Sequence, residues 1–575
     1  MVNVRRALVG ILLLAIFVFA WLWFTRPRRA NMATYAPADS IAYAEVNSLP
    51  EVFDAFTSTD AWRELAPAAG VDARQGWKGW RPGFVSFTGL GPSDAVVIAR
   101  AQVAVAVLGF RADEEPDATL RLAPRVALVA ETHTSEWRVR AAVEKLLGDF
   151  TRRAFGAPPV ERKEVDGVPF YTWAEEGGGR RKLVAAVEGS LAVVGNDEAA
   201  VRACLDVRRG TRPSIAGDEG LREMRERVGG EGALAFGYAP RGSVAKAAEV
   251  LAPAFVAAFS EDPSVQRVLA TLVPKLLNQT VGALGWSSRL AGGGIEDTLS
   301  LSLAGGMPQR LRAPLAASEG AREEAAGLLP PDASTLTFYN FRNPEDAWRG
   351  LNAAFSSQVD ILSAGLITSA LEGLAQPYGV QNPREFLRAC GGEVATARLE
   401  AESEGKVLVA PVRDRAALRE QVLAHLGRGA RVERAGDAEI IVSADPERGA
   451  AAFVGDFVLT GAEGDVRRCL DSIGKRQTLR EGAAYGAAPR GFFDETAFAR
   501  TLSDERPAAR SVLSLFARRL DEAGLERALA RRPYAVSETR LGEGGFEMKT
   551  RSAFGWFGRV VTRPEFSAAP RAGGL

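Results

Sequence analysis

The chain has few of the residues that usually build catalytic centres. Its 575 residues include only two histidines and three cysteines. His133 follows a predicted strand and His425 lies near the end of a predicted helix, and neither has a cysteine or carboxylate cluster nearby in the sequence. A zinc site usually needs four ligands at recognisable spacing, and a nucleophile activated by histidine needs one of these two residues. Both kinds of site are therefore disfavoured.

The three cysteines do not predict a disulfide framework. Cys204 and Cys469 occupy matching positions of the internal repeat described below, each on a predicted amphipathic helix, and Cys390 has no counterpart. We interpret all three as small, buried apolar residues. Cysteine usage therefore does not assign the chain to a compartment.

Net charge and catalytic motifs are missing as well. The 71 basic and 71 acidic residues cancel, which argues against nucleic-acid binding. No nucleophile elbow, metalloprotease helix, Walker loop or dinucleotide fingerprint occurs. Glycines 177–179 precede a basic Arg180-Arg181-Lys182 but join two predicted strands, so we interpret them as a hairpin turn and not as a phosphate loop. The sequence predicts no catalytic residue, metal or cofactor; a carboxylate enzyme is the least favoured alternative, since paired acids leave no spacing signature.

One apolar run predicts a membrane anchor. Residues 7–25 form an apolar run without a charge, and this run is long enough to span a bilayer. Trp21 and Trp23 suit a headgroup boundary. Arg26-Pro27-Arg28-Arg29 follows and is a poor cleavage context, so we favour an uncleaved anchor over a signal peptide. A short N-terminus before a large body predicts that the body is periplasmic. A cytoplasmic body is the alternative, because positive charges flank both ends.

An internal repeat is the clearest positive feature. Short matching segments occur twice in the same order, and their offset falls from 293 residues (Asp39 to Asp332) to 249 (Pro240 to Pro489). The matches include Pro37-Ala38-Asp39-Ser40 with Pro331-Asp332-Ala333-Ser334, Val160-Glu161-Arg162 with Val432-Glu433-Arg434, Cys204-Leu205-Asp206 with Cys469-Leu470-Asp471, and Ala239-Pro240-Arg241-Gly242 with Ala488-Pro489-Arg490-Gly491. This period far exceeds the ~20–50 residues of solenoid repeats, so two tandem units are predicted.

Each copy predicts the same order of elements. An alternating strand is followed by a proline-led helix, two strands, a second helix, a meander of short strands, the cysteine-bearing helix, another strand, two helices and a closing hairpin. This order predicts an α+β fold, with helices packed on a mostly antiparallel sheet in each of two duplicated units. We expect a transmembrane anchor in residues 1–30, a first unit in 31–304, a linker in 305–329, a second unit in 330–563 and a disordered tail in 564–575.

Several polar and aromatic groups are candidate contacts. Arg241 and Arg490, in the two Ala-Pro-Arg-Gly turns, are candidate anion ligands, although a turn-shaping role with the arginine at a helix start or paired with an acid is favoured. Asp39 and Asp332 are interpreted as turn residues. One local aromatic group is interpreted as core or loop packing, with a patch facing a membrane or a partner as the alternative. It consists of Trp77, Trp80 and Phe84.

The start of the chain resembles a bacterial family of unknown function, domain of unknown function 3352. The resemblance is carried by the segment from Pro37 to Tyr43 with Val46 and the proline-led helix after it, by the N-terminal anchor, and by the segment from Gly189 to Asn196. It covers most of the chain after residue 30. The resemblance implies no reaction and no catalytic residues.

These features predict a single-pass membrane protein of the bacterial envelope, whose duplicated ectodomain binds a protein or a cell-surface component without catalysis. A carrier or sensor of an apolar, lipid-like ligand is the alternative, with the apolar helices of residues 244–277 as candidates to line a groove. A carrier is expected to have a continuous apolar pocket within one unit, and a scaffold an exposed patch.

Overall fold

The structure, a computed structural model, describes residues 29–73, 97, 100–114, 120–156, 158–175, 181–256, 263–320, 322–400, 405–493, 496–516, 521–530, 532 and 534–556. The predicted anchor in residues 7–25, the hairpin glycines 177–179 and the predicted tail in 564–575 lie outside these ranges. Within them, the protein is α+β with a large antiparallel sheet, which confirms the predicted fold class.

Twenty strands of the described residues form one sheet, and every neighbouring pair is antiparallel. They are β1 (Ala42–Val46), β2 (Gln102–Glu114), β3 (Leu120–Glu131), β4 (Val160–Val165), β5 (Val168–Ala174), β6 (Lys182–Glu188), β7 (Leu191–Gly195), β8 (Ala235–Ala239), β9 (Val281–Ala291), β10 (Gly294–Leu303), β11 (Thr335–Asn340), β12 (Glu393–Arg398), β13 (Val407–Pro411), β14 (Arg431–Ala435), β15 (Ala438–Val442), β16 (Ala450–Val454), β17 (Phe457–Gly461), β18 (Ala499–Ser503), β19 (Ala535–Leu541) and β20 (Gly545–Ser552).

The pairings of the strands are the same in the two halves of the chain. From the outer edge inward, the first half runs β4-β5-β6-β7-β3-β2-β1-β8-β9-β10. The second half runs β14-β15-β16-β17-β13-β12-β11-β18-β19-β20 in the corresponding order. Strands β10 and β20 pair at the centre. The strand order is an observation; descent of both halves from one duplicated unit stays a prediction.

Sixteen α-helices occur in the described residues. They are α1 (Leu49–Thr57), α2 (Asp60–Leu65), α3 (Glu136–Phe155), α4 (Glu198–Arg208), α5 (Glu219–Arg227), α6 (Ser243–Val256), α7 (Pro263–Thr280), α8 (Met307–Arg312), α9 (Pro344–Ser356), α10 (Ile361–Gly373), α11 (Pro383–Arg388), α12 (Arg415–Leu426), α13 (Glu463–Gly474), α14 (Ala483–Gly486), α15 (Arg506–Phe516) and α16 (Glu522–Leu529). None of them is both long and apolar enough to cross a membrane.

The two edge strands were not predicted from the sequence. Strand β4 is almost entirely exposed, and β14 is exposed at four of its five positions. Both are rich in charged residues, so neither shows the apolar alternation of a half-buried strand. Charge along an edge strand discourages pairing with a further chain, which explains why the matched Val-Glu-Arg segments close the sheet at its two ends.

Both faces of the sheet carry a hydrophobic core. In the first half, one face is filled by a cluster that includes Tyr43 and Phe236, and α3 covers the other face through Val139. The second half has the same division, with one cluster around Phe338 and another that includes Leu408. Helices α11 and α12 belong to this last cluster and cover the face that carries Leu408.

The halves are also joined by helices. Trp62 and Leu65 of α2 pack with Leu513 of α15, Leu525 of α16 and Phe554 in a single buried cluster. The first half thus contributes two helices to a core whose other helices come from the second half. Since this cluster and the β10–β20 pairing both cross between the halves, the described residues form a continuous body.

Residues 305–329, predicted as a linker, contain helix α8 and a short 3-10 helix, Glu324–Gly327. Met307 and Leu311 of α8 pack against Ala347 of α9 in a buried cluster. Ala326 is fully buried in the main core of the second half. This segment therefore contributes to the packing of the second half.

Candidate functional site

An apolar pocket lies in the second half, between the sheet and three helices. Its volume is about 260 Å³. Strands β11, β12 and β13 form its floor, and α9, α11 and the chain that follows α10 form its walls. The lining residues are Tyr339, Phe341, Pro344, Ala347, Trp348, Leu351, Leu374, Ala375, Tyr378, Val380, Pro383, Phe386, Leu387, Val394, Thr396 and Leu408. Leu374 is 49% exposed, so the pocket reaches the protein surface.

Two asparagine–proline pairs start the helices that form the walls. The side chains of Asn343 and Asn382 each accept a hydrogen bond from a backbone N–H in the first turn of the helix that follows, at 3.1 and 3.2 Å. Pro344 and Pro383 stand at the first helical position, where a missing N–H leaves no helical hydrogen bond unmade. Both prolines line the pocket, so the residues that begin α9 and α11 also shape its wall.

The pocket lining has no charged side chain. Its polar side-chain groups are the hydroxyls of Tyr339, Tyr378 and Thr396 and the indole of Trp348. Burial raises the pKa of Tyr339, with a smaller opposing effect from the Thr396 hydroxyl, so the phenol keeps its proton at neutral pH. The Thr396 hydroxyl is its hydrogen-bonding neighbour, and both side chains line the pocket.

An aromatic stack connects the pocket to the centre of the sheet. The Tyr339 ring stacks on Phe341 at 6.0 Å between centroids, and Phe341 stacks on Phe498 at 5.5 Å. Phe498 meets Phe546 of β20 edge-on at 6.1 Å. Aromatic pairs in these arrangements add to the stabilisation from buried area alone. The stack therefore ties this wall of the pocket to the junction of the two halves.

The Ala-Pro-Arg-Gly turns differ in what their arginines contact. Arg241 is exposed and forms no ion pair with a described residue. Arg490 pairs with Glu323, with 3.2 Å between Nη2 and Oε2. In both turns the glycine has positive φ, 82° at Gly242 and 77° at Gly491, a conformation that favours glycine. The arginines were predicted as matching groups, but their surroundings are not equivalent.

Two buried carboxylates hold the second turn in place. Glu538 accepts hydrogen bonds from three consecutive backbone N–H groups that begin at Gly491, at 2.8 to 3.1 Å. Besides the pair with the turn arginine, Glu323 accepts hydrogen bonds from the Tyr485 hydroxyl and the Arg500 guanidinium. Both acids are engaged by partners from their own half. The cluster can therefore support the turn, and it leaves little capacity for a ligand.

The two histidines lie apart and have separate partners. His133 Nε2 is 3.0 Å from Gln102 Oε1, and His425 Nε2 is 3.1 Å from the Arg448 carbonyl oxygen. Burial lowers the pKa of His425, which favours the neutral imidazole. Across the part of the chain that the structure describes, no group of three or more His, Cys, Asp and Glu residues could hold a metal ion.

The cysteines are buried thiols. None of the three forms a disulfide. Burial raises the pKa of each thiol to about 12, which keeps it protonated and slow to react at neutral pH. They are Cys204, Cys390 and Cys469.

The remaining sequence candidates lie on the surface or outside the described ranges. Asp39 pairs with Arg212 at 2.6 Å and Asp332 with Arg468 at 2.7 Å, both as partly exposed ion pairs. The predicted aromatic group falls outside the described residues. It comprises Trp77, Trp80 and Phe84.

The sequence did not predict where the pocket lies. The apolar helices of residues 244–277 were the predicted groove, yet none of their residues lines the pocket, and α6 packs against α7. The lining residues come from separate elements between positions 339 and 408, which the fold brings together. The only local signal is the pair of Asn-Pro helix starts, each followed by large apolar residues.

No family model matches the chain, and no curated protein matches it. Among solved structures, one match is the crystal structure of TP0453 in crystal form IV, at 10% sequence identity. The match covers 47% of this chain and 79% of the TP0453 chain, with a TM-score of 0.21. A likeness at that TM-score carries no argument about fold or function. The resemblance to domain of unknown function 3352 stays a prediction from the sequence.

Proposed function

We propose that this protein is a membrane-anchored binding protein of the bacterial envelope that holds the apolar part of a lipid-like ligand. In this proposal, residues 7–25 cross the membrane, the two duplicated units lie outside the cytoplasm, and no catalysis takes place. The sequence left a protein-binding scaffold, a carrier and, least favoured, a carboxylate enzyme open, and the carrier is the one we favour. The observation that supports it is the apolar pocket of the second half.

The chemistry of the pocket favours an apolar occupant over water. Water needs two to four polar partners, and an apolar wall offers few, so its displacement by an apolar chain is favourable. The pocket has about 260 Å³ and only four polar side-chain groups among 16 lining residues. Ligand pockets are typically apolar clefts with a few placed polar groups, which fits this composition.

The volume limits the size of the ligand. A methylene group occupies a volume similar to that of a water molecule, ~30 Å³, so roughly nine methylenes fill the pocket. At about 0.8 kcal/mol per buried methylene, their transfer from water is favourable by about 7 kcal/mol. Part of this is offset by the loss of ligand freedom on binding. We therefore expect weak to moderate affinity that rises about fourfold with each added methylene until the pocket is full.

Photolabelling of the full chain in membranes tests this proposal. A medium-length alkyl probe with a terminal diazirine is added and irradiated, and the labelled peptides are mapped by mass spectrometry. Labelling is expected in peptides that contain α9, α11 and β11–β13. Unlabelled chains of increasing length are expected to compete with increasing strength.

A cavity-filling variant and a matched control make the test specific. Ala375→Trp places a large side chain in the pocket, whereas Ala416→Trp makes the same change at an exposed position of α12. The first variant is expected to abolish labelling at the pocket, and the second to leave it unchanged. Equal labelling in both variants, or labelling spread over the surface, contradicts the proposal.

A protein-binding scaffold is the second candidate. It is favoured by two adjacent aliphatic residues at the start of α10, since Ile361 is 91% exposed and Leu362 is 83% exposed. Exposed large apolar residues in contact with each other are typical of interaction surfaces. Two results together favour this function over the carrier. The pocket is not labelled, and a protein that co-purifies with the native chain is lost in the double variant Ile361→Ser and Leu362→Ser.

A further inference from the structure

We infer that the pocket ligand is an anionic, single-chain amphiphile whose charged end lies against Arg398 and Lys406. This inference rests on the proposed function, and it adds the chemical class of the ligand. The two residues are called the cationic pair below. The charged end is a carboxylate or a phosphate, and the chain occupies the apolar pocket.

The cationic pair lies on the face of the sheet that forms the pocket floor. Side chains of a strand alternate between faces, so Arg398 lies on the same face as Thr396, and Lys406 on the same face as Leu408. Thr396 and Leu408 are paired across β12 and β13, and both line the pocket. Two residues along a strand span about 7 Å, so the cations lie just beyond the pocket lining.

The two cations lie near each other and near an aromatic wall of the pocket. The register between β12 and β13 ends at Ala397 opposite Val407, and Arg398 and Lys406 are the next residues outward along the chain. The Lys406 ammonium lies over the ring of Tyr378, 5.7 Å from its centroid. Tyr378 lines the pocket, so a positive charge lies within reach of a ligand that ends beside this ring.

Neither cation forms an ion pair with a described residue. Arg398 is exposed and Lys406 is partly exposed. Like charges on opposite positions of neighbouring strands destabilise a sheet. An anion between them removes this repulsion and gains charge-assisted hydrogen bonds from both. A bound anionic end group therefore accounts for a charge arrangement that the fold by itself does not favour.

Hydroxyl groups lie along the floor of the pocket, and Thr396 separates Val394 from Arg398 along the pocket face of β12. Thr396 pairs with Thr337 across β11 and β12, and Thr337 Oγ1 is 3.0 Å from Thr501 Oγ1 on β18. The Tyr339 hydroxyl adjoins this row on the pocket side. Along the face, the environment thus changes from apolar to hydroxyl-bearing to cationic. An amphiphile has the same order of apolar chain, polar linkage and charged end.

The fold does not require charges at these two positions. By strand register and the 293-residue offset, Val107 of β2 corresponds to Arg398. Val126 of β3 corresponds to Lys406, since Ala127 and Val407 hold equivalent places one step inward. The first half therefore builds the same strands with two valines. Among these equivalent strand positions, the cations therefore occur only in the second half, beside the pocket described above.

Competition against the diazirine probe on the full chain in membranes tests the inference. The competitors share one chain length and differ only in their end group, as carboxylate, phosphate, alcohol or amine. The carboxylate or the phosphate is expected to compete roughly fivefold better than the alcohol, and the amine worst, with the difference shrinking in 1 M salt, where the Debye length is about 3 Å. The better of the two anions identifies the end group.

Charge variants connect this preference to the cationic pair. The double variant Arg398→Gln and Lys406→Gln is expected to remove the anion preference while the alcohol still competes. Arg434→Gln, at an exposed position of edge strand β14, is the matched control and is expected to keep the preference.

The outcomes separate the two proposals. If no chain competes and the pocket is not labelled, the proposed function fails. If all end groups compete equally, or if the double variant keeps the anion preference, the inference is overturned and the carrier function stands. If the double variant lowers protein stability without changing selectivity, the pair is neutralised within the chain, and the inference is again overturned.

Discussion

The two halves of the sheet have the same strand order but fill equivalent positions with different chemistry. One row that crosses five neighbouring strands shows this clearly. In the first half, the row reads Gly237, Ala44, Val105, Leu128 and Val194. In the second half, it reads Thr501, Thr337, Thr396, Leu408 and Thr460. The strand pairing therefore tolerates either chemistry, and the hydroxyl-bearing row occurs beside the pocket.

This difference shows that the fold does not determine the site. Backbone hydrogen bonds set the register in both halves, whereas the side chains on one face decide what that face can bind. Residues 74–96 of the first half lie outside the described ranges, whereas the five strands of this row are described in both halves.

The opposite face of the sheet differs as well, and one core position illustrates this. Glu45 of β1 and Phe338 of β11 are equivalent by the 293-residue offset, and both are buried, at 4% and 2% exposed. Glu45 accepts hydrogen bonds from the Tyr43 hydroxyl and Arg225 Nη1, each at 2.5 Å. Phe338 is packed by apolar neighbours. One half therefore stabilises this position by a buried ion pair and the other by close packing.

Truncation of the packed side chain is expected to have the largest effect on stability. Phe338→Ala removes a ring from a filled core, and such changes destabilise proteins by about 3–5 kcal/mol, because apolar contacts are lost and a cavity remains. Urea unfolding of the full chain measures the change. Phe338→Leu is the control and is expected to lose less than half as much. Equal losses in the two variants contradict a packing role.

Neutralisation of the buried acid is expected to have an intermediate effect. Glu45→Gln keeps the shape but leaves the Arg225 charge without its partner, and loss of one member of a buried pair typically costs about 3–5 kcal/mol. The Arg225 side chain is 19% exposed, so solvent screens part of this loss and we expect about 2 kcal/mol.

A surface pair in the same half supplies the comparison. Glu51 and Arg29 are both more than half exposed, at 57% and 53%, with 2.5 Å between them. Glu51→Gln is expected to change the free energy of unfolding by less than about 1 kcal/mol. If the two variants lose the same amount in urea unfolding, the buried pair does not contribute more than a surface pair.

Much of the fold was predictable because its signals are local. The closing hairpin predicted for the first unit consists of β9 and β10, which meet at glycines 292–294. The proline-led helix predicted for the second unit is α9, which begins at Pro344. Alternating apolar residues, turn glycines and a proline at a helix start each act over a few residues, so the sequence alone reveals them.

The site was not predictable because it depends on register between distant strands. Thr337 and Thr396 are 59 positions apart in the sequence, yet they are direct partners on the neighbouring strands β11 and β12. Arg398 and Lys406 are ordinary charges in the sequence and become a pair only once β12 and β13 align. Register also explains the edge strands, since only the position of β4 at the end of the sheet makes its charged sequence suitable for a strand.

A small effect is expected at the junction, where two equivalent glutamates differ in one ion pair. In each closing hairpin, an arginine pairs with a glutamate across the turn, Arg289 with Glu296 and Arg540 with Glu547. Glu296 also pairs with Arg551 of β20, at 2.8 Å, because β10 and β20 lie side by side. The equivalent neighbour of Glu547 is Ser300, which carries no charge.

Glu296→Gln is therefore expected to destabilise the protein by only about 1 kcal/mol at pH 7, because both arginines that hold Glu296 are partly exposed. Glu547→Gln is expected to cost less, because Glu547 has one arginine partner. Burial tends to raise the pKa of Glu296, but the hydrogen bonds from Arg551 and Arg289 outweigh it and lower the pKa. A lowered pKa stabilises the folded state above the unfolded value of about 4.3, and this contribution is lost as the pH falls through the folded pKa. Unfolding at pH 7 and at a pH below the folded pKa of Glu296 is expected to show the loss from Glu296→Gln only at pH 7. A loss that stays constant with pH means that the glutamate acts through packing and not through its charge.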